Sequence, residues 1–131
     1  MANVVNKKAK KQMLDALVAL GTLTAYLMKS AYVYSATHQF VADLGANIRA
    51  TVACSGVTTG VPTDGTVDVN DQTWAAVNGD FSSVWYAVNT GNAATSPLLF
   101  FSDVIAGFPG SITNGDVLAT VDNGADRLFT L

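Results

Sequence analysis

The sequence predicts a mainly β protein, namely a single antiparallel β-sandwich or small barrel with an N-terminal helix or arm. All ten acidic residues are Asp and none is Glu, and Asp favours turns and caps over helix interiors. Short apolar segments alternate with Gly, Asn, Asp and Pro, at the spacing of about 8–12 residues that is typical of sandwiches. A chain of 131 residues is large enough for one domain with its own core.

The first element in chain order is a helix. Residues 7–20 have helical spacing, Asn6 is a candidate N-cap and Gly21 is placed to end the helix. The apolar side chains on one side of this helix are Met13, Leu14, Leu17, Val18 and Leu20. A helix this short is marginal alone, so we expect its apolar face to pack on its own sandwich or on a neighbour.

The charges divide the chain into two regions: residues 1–21, a basic N-terminal arm with the amphipathic helix, and residues 22–131, the β-sandwich domain. From Gln12 onward three basic residues face ten Asp, a net charge of −7. A basic arm on an acidic body is expected to contact a neighbouring copy, another acidic protein or a nucleic acid, although a solvated basic end would look the same. The predicted partner-binding residues of the arm are Lys7, Lys8, Lys10, Lys11, Met13, Leu14 and Leu17.

The middle of the chain predicts extended segments joined by turns. Residues 22–36 read as one or two extended segments, and residues 37–46 as a short helical or turn piece that ends near Gly45. Residues 48–55 predict a strand with Cys54 on its apolar side, as a small buried hydrophobe. Residues 56–72 predict a loop with short strand pieces.

Further strands are predicted at WAAV, SSVWYAVNT, PLLFFSDV and DVLATVD, with NGD, TGNAATSP and AGFPGSITNG between them. Asp122-Asn123-Gly124 is a strong signal for a two-residue hairpin turn, with residues 127–131 as its second strand. That last strand either completes its own sheet, which we prefer, or offers its edge to a neighbour.

The low charge of the chain calls for an explanation. Charged residues make up 13% of the chain, about half of the roughly 25% of typical soluble domains, which predicts burial in a membrane or against other subunits. The apolar stretch 14–28 contains Asp15 and is shorter than the roughly 18 apolar residues of a span. KKAKK before this stretch resembles a secretory signal, but Asp15 lies where the apolar region should begin. We therefore expect assembly with other subunits and no membrane.

His38 is the only histidine, so a site with several histidines is excluded. It lies five residues before Asp43, and a small hydrolase with a Ser–His–Asp triad is an alternative. No G-x-S-x-G nucleophile motif occurs, which favours a structural or interface histidine. The chain is therefore expected not to be an enzyme.

Cofactors are not expected, since neither G-x-x-x-x-G-K nor G-x-G-x-x-G occurs. Asp64, Asp68, Asn70 and Asp71 could hold calcium, but their spacing is not that of an EF-hand loop, and turn formation is the preferred interpretation. Nucleic acid is not expected on the body, because the lysines are confined to one end; only the basic arm is a candidate for it. The single cysteine excludes an intramolecular disulfide and favours a reducing compartment.

The order of turns in residues 32–131 resembles a group of small structural proteins of tailed bacteriophages and prophages. The resemblance begins with an element that contains Tyr34, His38 and Phe40, and ends with the hairpin Asp122 to Leu131. Between them lie a turn and strand and a loop, whose matching residues are Thr90, Gly91, Thr95, Ser96, Leu98, Gly107, Pro109, Asn114, Gly115 and Asp116.

This resemblance implies a phage virion structural protein of the head decoration (cement) type. Its partners would be the major capsid protein and further copies of itself, as a trimer or a dimer. Its place would be the capsid surface of the virion, after synthesis in the host cytoplasm. The alternative is a tail, collar or head-fibre component with an adhesive, receptor-binding β-module.

Overall fold

The computed structural model describes residues 6–60 and 66–121 and the backbone of residues 129–130. The mainly β fold with one helix near the N-terminus is confirmed. Short 3₁₀ helices span Val41–Asn47 and Ala93–Thr95. The helix and strands in the described residues are α1 (Lys7–Val18), β1 (Thr22–Met28), β2 (Ile48–Ala53), β3 (Thr58–Thr59), β4 (Thr66–Asp68), β5 (Gln72–Phe81), β6 (Ser83–Asn89), β7 (Leu98–Ser102), β8 (Gly110–Ala119) and β9 (Phe129–Thr130).

The strands form a sandwich-like arrangement of antiparallel ladders. One sheet has the strand order β2-β1-β6-β7, a second has the order β3-β4-β9, and β5 pairs with β8. Because side chains alternate along a strand, β1 and β6 send residues to both faces of the four-stranded sheet. This sheet therefore separates two hydrophobic clusters, which we call the first core and the second core.

The first core lies between the four-stranded sheet and the β5–β8 ladder. The indole Nε1–H of Trp74, on β5, donates to the carbonyl oxygen of Ala25, on β1, at 3.2 Å, so one hydrogen bond joins the two layers. Its largest buried side chains include Trp74, Leu27, Val67, Val84 and Val88.

The second core lies on the opposite face of the same sheet. The segment 29–47, which joins β1 to β2, covers this face with Tyr32, Val41 and Leu44. The sheet contributes the side chains Tyr26, Met28, Trp85 and Ala87. Burial on both faces explains why SVWYAV in β6 is a continuous apolar run and not an alternating one.

Helix α1 begins as predicted, since the Asn6 side chain accepts the N–H of Lys8 at 2.9 Å. It ends at Val18, two residues before the predicted end at Leu20, so Gly21 does not end the helix. A Cβ atom on Gly21 would lie 2.1 Å from the carbonyl oxygen of Asn89, so glycine permits the entry into β1 beside β6. The apolar stretch 14–28 is therefore divided between a helix and a central strand. No helix in the described ranges is long and apolar enough to cross a membrane.

Two predicted strand boundaries are wrong. NGD and SITNG were predicted to lie between strands, but NGD lies inside β5 and SITNG lies inside β8. The β5–β8 ladder accommodates these residues through shifts in its register. Ala76 (φ 53°) and Asn114 (φ 48°) take left-handed conformations there. Gly79 (φ 112°) leaves room for the Arg49 guanidinium, which a Cβ would approach to 2.8 Å. Arg49 in turn pairs with Asp80 at 2.9 Å and joins β2 to β5.

The predicted partner of the last strand is also wrong. The Asp122-Asn123-Gly124 turn lies outside the described residues, but β9 pairs with β4, through Val67 opposite Phe129. β8 pairs instead with β5 over its whole length. The last strand thus adds to a sheet of its own chain, as we preferred. The loop 56–72 contains the short strands β3 and β4, as predicted, with residues 61–65 outside the description.

Candidate functional site

The predicted partner-binding arm is divided between the protein's own core and solvent. Leu14 is buried in the first core and Leu17 is half-buried against it. Met13, which was expected on the same apolar side, is 55% exposed, because it lies about 100° around the helix from Leu14. Lys7 and Lys8 are exposed, and Lys10 and Lys11 are half-buried. Binding of a partner by the arm, and its separation as residues 1–21, stay predictions.

Helix α1 is tied to the body by Asp15. The Asp15 carboxylate pairs with Lys11 at 2.7 Å and accepts a hydrogen bond from the hydroxyl of Thr59 on β3. The Lys11 ammonium, and then the Thr59 hydroxyl, hold the pKa of Asp15 below its ordinary value. The second half of the helix is therefore fixed on the body, and its first turn presents Lys7 and Lys8 to solvent.

On the other side of the four-stranded sheet, the second core opens into a shallow groove, which we call the aromatic groove. Its volume is about 430 Å³. Three serine residues, Ser30, Ser82 and Ser83, belong to its lining. The residues that give it its character are Tyr32, Val33, Tyr34, Phe101, Asp103 and Pro109.

Tyr34 is the exposed ring of this groove. Its ring stacks on Trp85 with centroids 6.0 Å apart and lies against Phe101 at 5.1 Å. It remains 53% exposed, and its neighbour Val33 is 79% exposed. Val104, which follows Asp103 at the end of β7, is 92% exposed. The groove and its margin therefore present apolar surface with little charge.

A chain of hydrogen bonds fixes the floor of the groove. The Trp85 indole N–H donates to the Tyr32 hydroxyl oxygen at 2.9 Å, and that hydroxyl lies 2.9 Å from Nδ1 of His38. Since an indole nitrogen only donates, the Tyr32 hydroxyl oxygen accepts from Trp85. The direction of the second hydrogen bond follows the tautomer of the His38 ring.

The surroundings of His38 do not form a triad. The Nδ1 atom contacts a tyrosine hydroxyl, at the position where a triad would have a carboxylate. The Asp43 carboxylate instead accepts the backbone N–H groups of Gln39 and Phe40, at 2.8 and 2.9 Å. These bonds hold the pKa of Asp43 below its ordinary value. Asp43 thus caps the Val41–Asn47 helix, and a structural or interface role of His38 stays a prediction.

β7 is an edge strand of the four-stranded sheet in the described residues. Its first residue is covered on the outer side, because the Leu98 N–H donates to the carbonyl oxygen of Gln39 at 2.9 Å. The whole strand, LLFFS, carries no charge and no proline. Charges and prolines are the usual protection of an edge strand against pairing with another chain. The apolar margin of the aromatic groove therefore continues into a sheet edge.

Of the alternative calcium residues, Asp68 ends strand β4, and Asn70 and Asp71 bind distant parts of the chain. The Asn70 amide donates to the Ser55 hydroxyl at 3.2 Å, and Asp71 accepts the N–H of Val121 at 2.8 Å. Asp64 lies outside the described residues. Among the described residues, no group of three metal-type ligands occurs.

Cys54 is packed against the first core, as predicted from strand alternation. Burial raises the pKa of its thiol to about 12, so the thiol is protonated at neutral pH. Nearby, burial raises the pKa of Tyr86 even further, and its hydroxyl donates to Gln72 at 2.5 Å. Both groups are part of the packing and are poor candidates for chemistry at neutral pH.

The sequence did not single out the aromatic groove. Of the aromatic residues in the predicted strands, Trp74, Trp85 and Tyr86 are buried. Tyr32 and Tyr34 lie in a segment without regular structure, where no periodicity marks them. The available signal was the apolar run AYVY within the predicted extended residues 22–36. Comparisons with family models, curated proteins and solved structures found no match to this chain.

Proposed function

We propose that this chain is a non-enzymatic structural protein of a tailed-phage virion, a decoration protein that binds the capsid shell and stabilises it. The observation that carries the proposal is the exposed apolar surface formed by the aromatic groove, Val104 and the edge of β7. Exposed aromatic and aliphatic side chains next to a sheet edge are typical of surfaces that bind protein. The resemblance of residues 32–131 to small phage structural proteins supports a phage virion as the assembly to which this surface binds.

The low charge of the chain supports the same proposal. Repeated copies on a shell bury surface against the major capsid protein and against each other, and an apolar surface is stable there. In a free monomer the same surface would favour association. Such a protein holds neighbouring capsomers together through the surface area that it buries, and no chemical step is involved.

The test is the occupancy of expanded shells that lack the protein. We expect the purified chain to bind in hundreds of copies per shell, measured against the major capsid protein by quantitative gel analysis. Val104→Asp should reduce the occupancy, since it places a charge in the apolar margin without disturbing a buried contact. Leu118→Asp is the matched control, because Leu118 is 51% exposed on β8 and lies outside the groove.

A truncation separates the arm from the body. Deletion of Met1 to Lys11 should leave the β body folded and weaken shell binding, and full occupancy by the truncated chain would count against this role of the arm. A dozen or fewer copies per particle, found at a tail or collar, would replace decoration by the alternative role. No association with any virion part would refute the proposal.

A further inference from the structure

We propose that the aromatic groove binds the first turn of α1 from a second copy of this chain, with Lys7 and Lys8 over the Tyr34 ring and against Asp103. This inference rests on the proposed structural role and names the partner of the groove. It describes a head-to-tail contact, in which each copy gives its lysines to one neighbour and receives lysines from another.

The first argument is the chemistry of the groove. Among the described residues that line it, Asp103 is the charged one, and its side chain is exposed. Tyr34 offers a ring that is 53% exposed and is held in place by Trp85 and Phe101. The face of an aromatic ring attracts a cation, and a carboxylate beside it adds to the attraction. The groove therefore fits an ammonium group on a flexible aliphatic stem better than an anion.

The second argument is charge complementarity within the chain. Lys7, Lys8, Lys10 and Lys11 are four of the seven basic residues, and the remainder of the chain has a net charge of −7. Lys7 and Lys8 are exposed in the first turn of a helix whose second half is anchored by Leu14 and Asp15. The lysines are thus held at a fixed place on the surface, where a second acidic body can meet them.

The third argument is the position of the two surfaces. Leu14 joins the first core, whereas Tyr32, Trp85 and Phe101 belong to the second core. These cores lie on opposite faces of the four-stranded sheet, so the docked helix of one copy cannot fill its own groove. Another copy can bring its Lys7 and Lys8 there. A contact between two different surfaces of the same chain is heterologous, and it closes into a ring or extends as a chain.

The experiment uses two variants of the full-length chain that damage opposite sides of the contact. Asp103→Lys keeps the lysines and repels them from the groove. The double variant Lys7→Gln with Lys8→Gln keeps the groove and removes the charges, and Gln is as good a helix former as Lys. Both sites are exposed, so circular dichroism should show folded proteins. Asp116→Lys, at an exposed Asp outside the groove, is the matched control.

Self-association is measured by sedimentation velocity at about 50 mM salt, where screening is weak. The wild type and Asp116→Lys should associate, and each of the two groove-contact variants should do so about tenfold more weakly or worse. An equal mixture of the two variants should restore a one-to-one complex that does not grow further. In that complex the intact lysines of one variant occupy the intact groove of the other.

The inference is overturned if the wild type stays monomeric at all concentrations tested, if Asp103→Lys associates like the wild type, or if the mixture is not rescued. Association that both variants retain would place the self-contact elsewhere, for example along the β7 edge. Shell occupancy is measured separately. A chain that fills shells as a monomer refutes this inference and leaves the proposed function standing. A chain that self-associates but binds no shell refutes the proposed function and leaves the contact between copies standing.

Discussion

The two cores of this protein share one sheet and differ in how they are closed. The first core lies between β-layers and has a buried Trp74 with aliphatic neighbours. The second core is covered by a single irregular segment, residues 29–47, and is rich in aromatic rings. The first is closed by regular strands and helix α1, whereas the second reaches the surface at Tyr34, which is 53% exposed. The comparison indicates that one face of the sheet serves stability, whereas the other keeps exposed apolar surface, for which we propose a binding role.

The largest effect is expected in the first core. Trp74→Ala removes a fully buried ring and its hydrogen bond to Ala25, and should lower the free energy of unfolding by about 3–5 kcal/mol. Tyr34→Ala, which removes a half-exposed ring that contacts Trp85 and Phe101, should cost about 1 kcal/mol. Urea unfolding followed by circular dichroism measures both. Equal losses for the two variants would contradict the division of roles.

A smaller effect is expected at the hydrogen-bond chain of the second core. Tyr32→Phe leaves the buried Trp85 N–H without its acceptor and releases Nδ1 of His38. The expected loss is about 1–3 kcal/mol, measured by urea unfolding, with a change in the His38 ring signals in NMR spectra. Tyr34→Phe is the matched control, and it should leave both readouts unchanged.

The cap of the covering segment should depend on pH. Because the pKa of Asp43 is lowered in the fold, its stabilising effect is present above the ordinary carboxyl pKa of about 4 and is lost as the pH falls through the lower folded value. Asp43→Asn should therefore melt below the wild type at neutral pH, and the difference should shrink in acid. Thermal unfolding over a pH series checks this. A difference that is constant with pH would show that the carboxylate charge is not the cause.

The last prediction concerns the reactivity of the Cys54 thiol, which reports directly on the opening of the first core. Its thiol should react very slowly with a thiol reagent at neutral pH, since burial raises its pKa to about 12. Trp74→Ala should accelerate the reaction, because it opens the first core. Tyr32→Phe should accelerate it much less. The same rate in all three proteins would mean that Cys54 reacts without opening of that core.

Local signals in the sequence predicted much of the fold. The Asn6 cap depends on neighbours within a few residues, and the mainly β fold class follows from composition. Both predictions are confirmed. The predictions that are wrong depend on partners far along the chain. NGD has the composition of a turn but lies in β5, where the long ladder with β8 accommodates it as a bulge. β9 pairs with β4, about sixty residues before it, and no local pattern encodes that choice.

The candidate site shows the same limit. The lysines of the arm were visible as a charge cluster, because charge is a property of composition. The aromatic groove was not visible, because Tyr34 and Phe101 are 67 residues apart in the chain and meet only when the covering segment folds onto β7. A sequence pattern marks which residues are apolar, but the fold determines which of them remain at the surface.

Residue types and short-range spacing were enough to predict the mainly β fold class, the helix with its cap, and the contrast between a basic arm and an acidic body. Three features became visible only in the folded chain. Gly21 lies against β6, Leu14 enters the first core, and the lysines and the aromatic groove lie on opposite sides of one sheet. The reason is physical: these features depend on which distant segments bury surface together, and that is a property of the packed chain as a whole.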